Sequence, residues 1–313
     1  MNPPSTENCP VSPPHSGAVC DFCRSEQHVV PLFQARDYEY GVSGVYTLGW
    51  CARCDFHFQT PRPSPESVPA FYPSTYSAYG DASLVGWLFR WVFWLDARRV
   101  SRLVGPHARI LDVGCGGGGA LLAMSRLGQW ELHGLELDAE AARRARAAGL
   151  DVAQGDLMEA QFEPASFDLI RMSHVLEHFR DPLASLKRAH DLLRPGGILF
   201  LETPNIRCWD FRLLGRYWGA LHFPRHITLF SERTIRRAAE QVGFRVVRIS
   251  PRLRTVGWSA GVQNLLADKF GLRIPANGRV RWYPLIILPF LPVTLVQAVF
   301  SWPATIALFA NKP

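Results

Sequence analysis

The chain has 313 residues, 48% of them hydrophobic, and a formal net charge of +7. That content excludes a wholly disordered chain and supplies core for one large domain, or a large and a small one. The charge excess is local: Asn205 to Arg254 holds eleven arginines and no lysine against three acids, a segment excess of +8, so the remainder is near balance. Such a segment suits an anionic partner (phosphate, lipid headgroup or nucleic acid) or forms a solvated basic face.

Residues 1–17, "MNPPSTENCPVSPPHSG", are rich in Pro, Ser and Asn and lack the apolar core of a signal peptide. They are predicted to be a disordered tail on a cytoplasmic protein. The seven cysteines are then expected to be thiols or metal ligands rather than a disulfide framework.

Residues 18–60 carry two Cys-x-x-Cys pairs, Cys20 with Cys23 and Cys51 with Cys54. Four soft ligands in two tight knuckles suit tetrahedral zinc, which compensates for a core too small to stand alone. "VVPLF" and "VYTLGW" between them read as short strands. The segment is predicted to be a zinc ribbon with a structural Zn2+. Cys9, Cys115 and Cys208 lack such spacing and are expected to be ordinary residues.

Residues 61–106 read as a linker followed by an aromatic helix over 83–104, where Trp87, Trp91 and Trp94 recur at helical spacing. A helix apolar nearly all round is buried against the main domain; the alternative is a helix in a membrane interface.

From 107 to 313 strands and helices alternate. The strands are "ARILDV", "ELHGLE", "LDVAQ", "FDLIRMS", "GILFLET" and "FRVVRIS"; helices are predicted over 118–128, 138–148, 181–193 and 231–242. Asp138 can N-cap the second helix and Gly149 can end it. "RPGG" at 194–197 reads as a stop and turn. The pattern predicts an α/β fold, a mostly parallel sheet with helices on both faces.

The glycine run of "ILDVGCGGGGALLAM" falls where the first strand of that sheet turns into a helix, a place where backbone passes close to a ligand. Gly114, Gly116 and Gly119 satisfy Gly-x-Gly-x-x-Gly, which alone suggests a dinucleotide. Three acids shift the reading. Asp112 precedes the glycines, and Glu136 ends the second strand, where a carboxylate can accept both ribose hydroxyls of an adenosine. Asp156 follows the third strand, placed to accept from an adenine amino group with the Leu157 N–H nearby.

These stretches resemble class I S-adenosylmethionine-dependent methyltransferases. "ILDVGCGGGG" is similar to their first motif, "LHGLELD" to their second-strand acid and "GDL" to their adenine site. "FDLIRMSHVLEHFRDPLASLKRAHDLLRPGGILFLETPN" resembles the branch that holds ubiquinone-biosynthesis O-methyltransferases and bacterial sugar methyltransferases. "HFPRHITLFSERTIRRAAEQVGF" and the zinc ribbon also look like that branch. The resemblance covers about 107–250. It implies a Rossmann-like seven-stranded sheet whose last strand is antiparallel, here "ATIALFANKP", delayed by a hydrophobic insertion at about 255–303. It also implies S-adenosyl-L-methionine as cofactor, held by Asp112, Gly114, Cys115, Gly116, Gly118, Glu136, Asp156, Leu157 and Ser173, with its amino-acid portion near Asp112 and Gly114.

Methyl transfer to a hydroxyl needs alignment and removal of a proton. His174, Glu177 and His178 stand at i, i+3 and i+4, on one face of a helical turn. One of them, His178 first, is a general base, or the three hold a divalent cation, or they only shape the loop. In the resembling branch a Glu-x-x-Glu-His set is thought to bind Mg2+; His174 in the first position weakens that case. His222 and His226 are expected near the acceptor pocket, with Arg225 a candidate for a phosphate or carboxylate; the alternative is a loop with exposed histidines.

Trp282 to Asn311 holds no charged residue and no histidine. It is long enough to cross a bilayer, but Pro284, Pro289, Pro292 and Pro303 interrupt it. A broken helix or hairpin at 282–302 docked on the inner face of the membrane is expected, with Arg273, Arg279 and Arg281 beside it. The function expected is methylation of a hydroxyl on a small-molecule, sugar or lipid-linked acceptor. An RNA methyltransferase fits less well: residues 18–60 are not basic and no Asn-Pro-Pro-Tyr-type signature follows the fourth strand of the sheet. A non-catalytic binding protein is the third reading.

Overall fold

A computed structural model describes residues 18–73, 76, 94–300 and 302–313. The predicted tail, with Cys9, and most of the aromatic helix, including Trp87 and Trp91, lie outside the described residues. What is described of that helix, 94–100, buries Asp96, Ala97 and Val100.

The cysteine-rich segment folds as three strands: β1 (Val29–Ala35), β2 (Tyr46–Cys51) and β3 (Phe56–Thr60). β1 and β2 match the expected strands. β3 follows the second knuckle, where Asp55 takes a left-handed φ of 59° and turns the chain back.

The second sheet begins with β4 (Arg109–Val113), an apolar run buried almost throughout, as a parallel strand covered on both faces requires. α1 (Gly119–Met124) follows the glycine run, then β5 (Glu131–Glu136), α2 (Ala139–Ala147) and β6 (Asp151–Gln154). Asp138 caps α2 through the Ala141 N–H, a contact of about 1 kcal/mol. β7 (Phe167–Ser173), α3 (Pro182–Leu192) and β8 (Leu193–Pro204) come next. The "RPGG" stretch lies within β8, as an irregularity where the register against β7 shifts. α4 (Trp209–Leu214), β9 (Thr228–Leu229), α5 (Glu232–Gln241) and β10 (Arg245–Arg252) follow. The insertion forms α6 (Val256–Phe270) and α7 (Tyr283–Val299), and the chain closes on β11 (Thr305–Asn311).

The large sheet runs β10-β11-β8-β7-β4-β5-β6. β11 is antiparallel to both neighbours, while the pairs from β8 to β6 are parallel. This is the expected seven-stranded arrangement. The small sheet runs β1-β2-β3-β9. Its fourth strand therefore comes from the far side of the chain, with His57 opposite Leu229 and Phe58 opposite Thr228. One core cluster spans both units, joining Phe22, Phe56 and Phe58 to Phe230, Ile235 and Leu176.

The 282–302 segment differs from expectation. It holds one helix, α7, with Pro289 and Pro292 inside it. A proline removes the hydrogen bond to the carbonyl four residues back. Those carbonyls belong to Leu285 and Leu288, both exposed residues, at 67% and 60%, where water can take the place of the missing donors. No described helix is long and apolar enough to cross a membrane.

Candidate functional site

At the carboxyl end of β4 the glycine loop takes conformations that side chains resist. Gly114, Gly116 and Gly118 have φ of 66°, 55° and 80°. A Cβ on Gly114 would lie 2.5 Å from Val175, and one on Gly118 2.2 Å from Leu150. Gly117 has nothing within 4 Å of that position and faces open space. The Gly114 and Cys115 N–H groups both go to the Leu135 carbonyl. Cys115 turns its side chain into the core beside Gly134, so it offers the cleft neither a donor nor a thiol.

Glu136 ties β5 to this loop. One carboxylate oxygen accepts from the Gly116 N–H at 2.7 Å and the other from the Asp138 N–H at 2.9 Å. Burial raises its pKa. Asp112 is fully buried and pairs at 2.7 Å with Arg171 of β7. Its second oxygen has no hydrogen-bond partner, and burial raises its pKa despite the arginine. Asp156 accepts from the Met158 N–H at 2.7 Å, and Leu157 is buried below it. The unpartnered Asp112 oxygen, the Glu136 carboxylate and the open ground over Gly117 fit an adenosyl cofactor laid across these strand tips.

Beyond β7 the three residues expected on one helical face are divided. The 3-10 turn spans only Leu176–His178, and His174 precedes it with a left-handed φ of 56°. His174 stands between two buried carboxylates, 3.4 Å from Glu177 and 3.4 Å from Glu202. Burial opposes its charge, but the two acids prevail and raise its pKa to about 9. It is a cation at neutral pH and no general base.

His178 points the other way. Its Nδ1 lies 3.2 Å from the Arg225 carbonyl and 3.1 Å from the Tyr72 hydroxyl. A hydrogen bond to the carbonyl, which only accepts, assigns the proton to Nδ1, with the Tyr72 oxygen as its second acceptor, and the lone pair to Nε2. His226 repeats the arrangement, donating Nδ1–H to the Ala220 carbonyl at 2.8 Å. The two rings stand 4.7 Å apart, edge to face. Burial lowers the pKa of both, to about 4 for His178 and well below the usual value for His226. Both are neutral near pH 7, each with Nε2 available.

Glu177, with one oxygen held by the Thr203 hydroxyl at 3.0 Å, completes the cluster. Glu177, His178 and His226 each bring one ligand atom within 4.8 Å of the others. The alternative of a magnesium ion held by His174, Glu177 and His178 does not fit these residues: both ring nitrogens of His174 face carboxylates, Glu177 and Glu202, and two imidazoles with one carboxylate are a poor match for an ion that prefers oxygen.

His222 and Arg225 are consumed internally. Arg225 is almost fully buried and pairs bidentately with Asp37, at 2.9 and 3.0 Å. Tyr40 and Tyr76 bring their rings within 4.7 and 5.7 Å of its guanidinium. Arg225 is thus no anion ligand, because its fork is already filled. His222 accepts from the Arg225 Nε and donates to Glu39. At the end of the arginine-rich stretch Arg252 and Arg254 likewise pair with Glu202 and Asp96, whereas Arg207, Arg212, Arg216, Arg233, Arg236, Arg237, Arg245 and Arg248 are exposed. Glu202 and Thr203 were legible as residues at the carboxyl end of a parallel strand. Asp37, Tyr72 and Arg171 gave no local signal, since their partners lie far away in the chain.

At the other end, Cys20, Cys23, Cys51 and Cys54 converge, one sulfur from each lying within 4.8 Å of the rest. All four are free thiols and three are buried. That donor set fits a tetrahedral zinc ion.

A family model described as a methyltransferase domain matches residues 90–249, about half of the chain. A ubiquinone biosynthesis O-methyltransferase of Xanthomonas campestris pv. campestris (strain B100) is 41% identical over 112 residues, covering 34% of this chain and 46% of the relative. Its counterpart in Xanthomonas oryzae pv. oryzae (strain PXO99A) is 40% identical over the same length. The chain thus spans less than half the length of the curated relatives it matches. Among solved structures, the [4+2]-cyclase SpnF superposes with a TM-score of 0.52 at 18% identity, over 76% of this chain and 86% of its own. A chain from the complex of the Haloferax volcanii Trm112 methyltransferase activator with a methyltransferase gives 0.50 at 18% identity, over 72% and 91%.

Proposed function

The chain belongs to the methyltransferase-domain family, and from that premise we propose that it transfers a methyl group from S-adenosyl-L-methionine to a hydroxyl of a small-molecule acceptor, of the sugar or lipid-linked kind. The observation that carries the acceptor chemistry is the neutral pair His178 and His226, each with Nδ1–H fixed on a backbone carbonyl and Nε2 turned away from it.

S-adenosylmethionine supplies a methyl already activated on sulfonium. The chain's own residues then have two tasks, alignment and proton removal. Glu136 and Asp156 orient the adenosine end, and Asp112, held by Arg171, faces the amino-acid end. His178 Nε2 takes the proton of the acceptor hydroxyl, and His226 Nε2 receives a second hydrogen bond from the acceptor. A positioned base of this kind contributes roughly 10²–10⁴-fold. His174, set between Glu177 and Glu202, and the Thr203 hydroxyl fix the position of Glu177 beside the base. The four cysteines hold a structural zinc. A lipid-linked acceptor puts the reaction at the inner face of the membrane, with 282–302 as the contact. Arg225, Arg252 and Arg254 are paired internally and are not available to an RNA backbone.

A cyclase shares this fold, so fold alone does not set the reaction. Two measurements do. Calorimetry should detect S-adenosylmethionine binding by the wild type, weakened at least tenfold in Asp112→Ala. Incubation with methyl-labelled cofactor and fractionated extracts should put label in lipid or sugar fractions, and His178→Ala should lose it. Cofactor binding with no label transferred to any fraction would refute catalysis; label in RNA would refute the acceptor class.

A further inference from the structure

α7 is built inside out. Its inward face buries Thr294 and Gln297, the latter at 0% exposure, together with Tyr283 and Ile286. Gln297 accepts from Trp258 Nε1 at 2.8 Å and donates to Asp210 at 3.1 Å. Its outward face carries Leu285, Leu288, Leu291, Leu295 and Val299, between 51% and 72% exposed. Steps of three and four residues place these side chains along one stripe. A helix on a water-facing surface shows the opposite pattern, polar out and apolar in. A contiguous apolar face of this kind marks an interaction surface.

We propose that the outward face of α7 seats the protein on an anionic lipid surface, as a helix lying in the interface plane. Charge identifies the occupant. From Lys269 to Asn311 the chain holds Lys269, Arg273, Arg279 and Arg281 and no acid. Arg279 and Arg281 are exposed immediately before the helix, followed by the exposed Trp282. Beyond the other end, the Arg212 guanidinium stacks 5.0 Å from the Trp302 ring. Cations and tryptophans flanking an apolar stripe match headgroup phosphate over acyl chains. An apolar face on a second copy would leave those cations beside one another without counter-charge. The helix lies on the bilayer and does not span it: 17 residues fall short of the ~20 that a crossing needs, and the inward face is occupied by polar contacts to α4 and α6.

The chain after α7 connects this surface to the reacting end of the sheet. Asn205, just past β8, donates its backbone N–H to the Ala304 carbonyl and its side-chain amide to the Pro303 carbonyl at 2.9 Å. The docking helix thus returns to the end of β8 that carries Glu202 and Thr203.

The test uses the full chain and flotation with phosphatidylcholine vesicles, with and without 30% phosphatidylglycerol (about one anionic lipid in three, chosen for a strong surface potential). The wild type should float with the anionic vesicles, and do so less as salt rises. Leu288→Glu combined with Leu295→Glu changes only exposed side chains, so thermal stability should hold while vesicle-bound protein drops at least tenfold. Arg279→Glu with Arg281→Glu should abolish the preference for anionic lipid. A wild type that stays with the soluble fraction at every composition overturns the proposal. So does a wild-type dimer that the leucine variant turns monomeric, because a second copy would then be the occupant. Flotation reads neither cofactor nor methyl transfer, so this outcome is separate from that of the proposed reaction.

Discussion

Asp37→Ala is expected to be severely destabilising. Asp37 and Arg225 are both almost fully buried and joined by two charge-assisted hydrogen bonds. Removing one partner of such a pair leaves an uncompensated buried charge, at a cost of about 3–5 kcal/mol. The carboxylate also accepts from the backbone N–H groups of Glu39, Tyr40 and Val42, so the upper part of that range is expected. That is a large share of a typical total stability of about 5–15 kcal/mol. Denaturant unfolding at pH 7 measures it. The pH dependence has a definite sign. Burial opposes ionisation of Asp37, but Arg225 prevails and its pKa is lowered. Its stabilisation is therefore full above the unfolded value of about 3.9 and is lost as pH falls through the lower folded value. The gap between wild type and Asp37→Ala should close in that acid window. Pairing Asp37→Leu with Arg225→Met should recover most of the loss, since no buried charge remains. A cost below about 1 kcal/mol for Asp37→Ala would show that the pair does not join the two units.

Three further outcomes are expected. Gly118→Ala, forced to a φ of 80° and into Leu150, should cost about 2–4 kcal/mol, whereas Gly117→Ala should keep its melting temperature and weaken S-adenosylmethionine binding in calorimetry; equal effects on stability would contradict the loop geometry. His174 has a raised pKa of about 9, so its stabilising contribution is complete below the unfolded value of about 6.5 and disappears as pH rises through 9; melts of wild type and His174→Gln should converge between those values. Elemental analysis should find about one zinc per chain, absent in Cys51→Ser, and a strong chelator should lower the melting temperature; a folded, metal-free wild type would sink the zinc assignment.

The seven-stranded sheet was legible because its signals are local. Buried apolar runs, the glycine loop after β4 and the cap at Asp138 each lie within a few residues of the element they define. The site was legible only in part. Spacing placed His174, Glu177 and His178 on one face because it assumed a regular helix, and the left-handed backbone at His174 broke that assumption. Arg225 looked like an anion ligand because its filler, Asp37, lies 188 residues away in sequence. The apolar run of α7 was visible, but which side faces outward depends on Gln297 meeting Trp258 and Asp210, a tertiary fact.

The shared small sheet also bears on how such a chain can be inherited. β3 finds its outer neighbour in β9, and Gln59 donates to the Ile227 carbonyl just before that strand. A recombination that grafted residues 18–60 onto another sheet would leave one edge of the graft bare unless 222–230 travelled with it. The two stretches, remote along the gene, are therefore expected to change in concert, and paired substitutions across them should be the mark of this lineage.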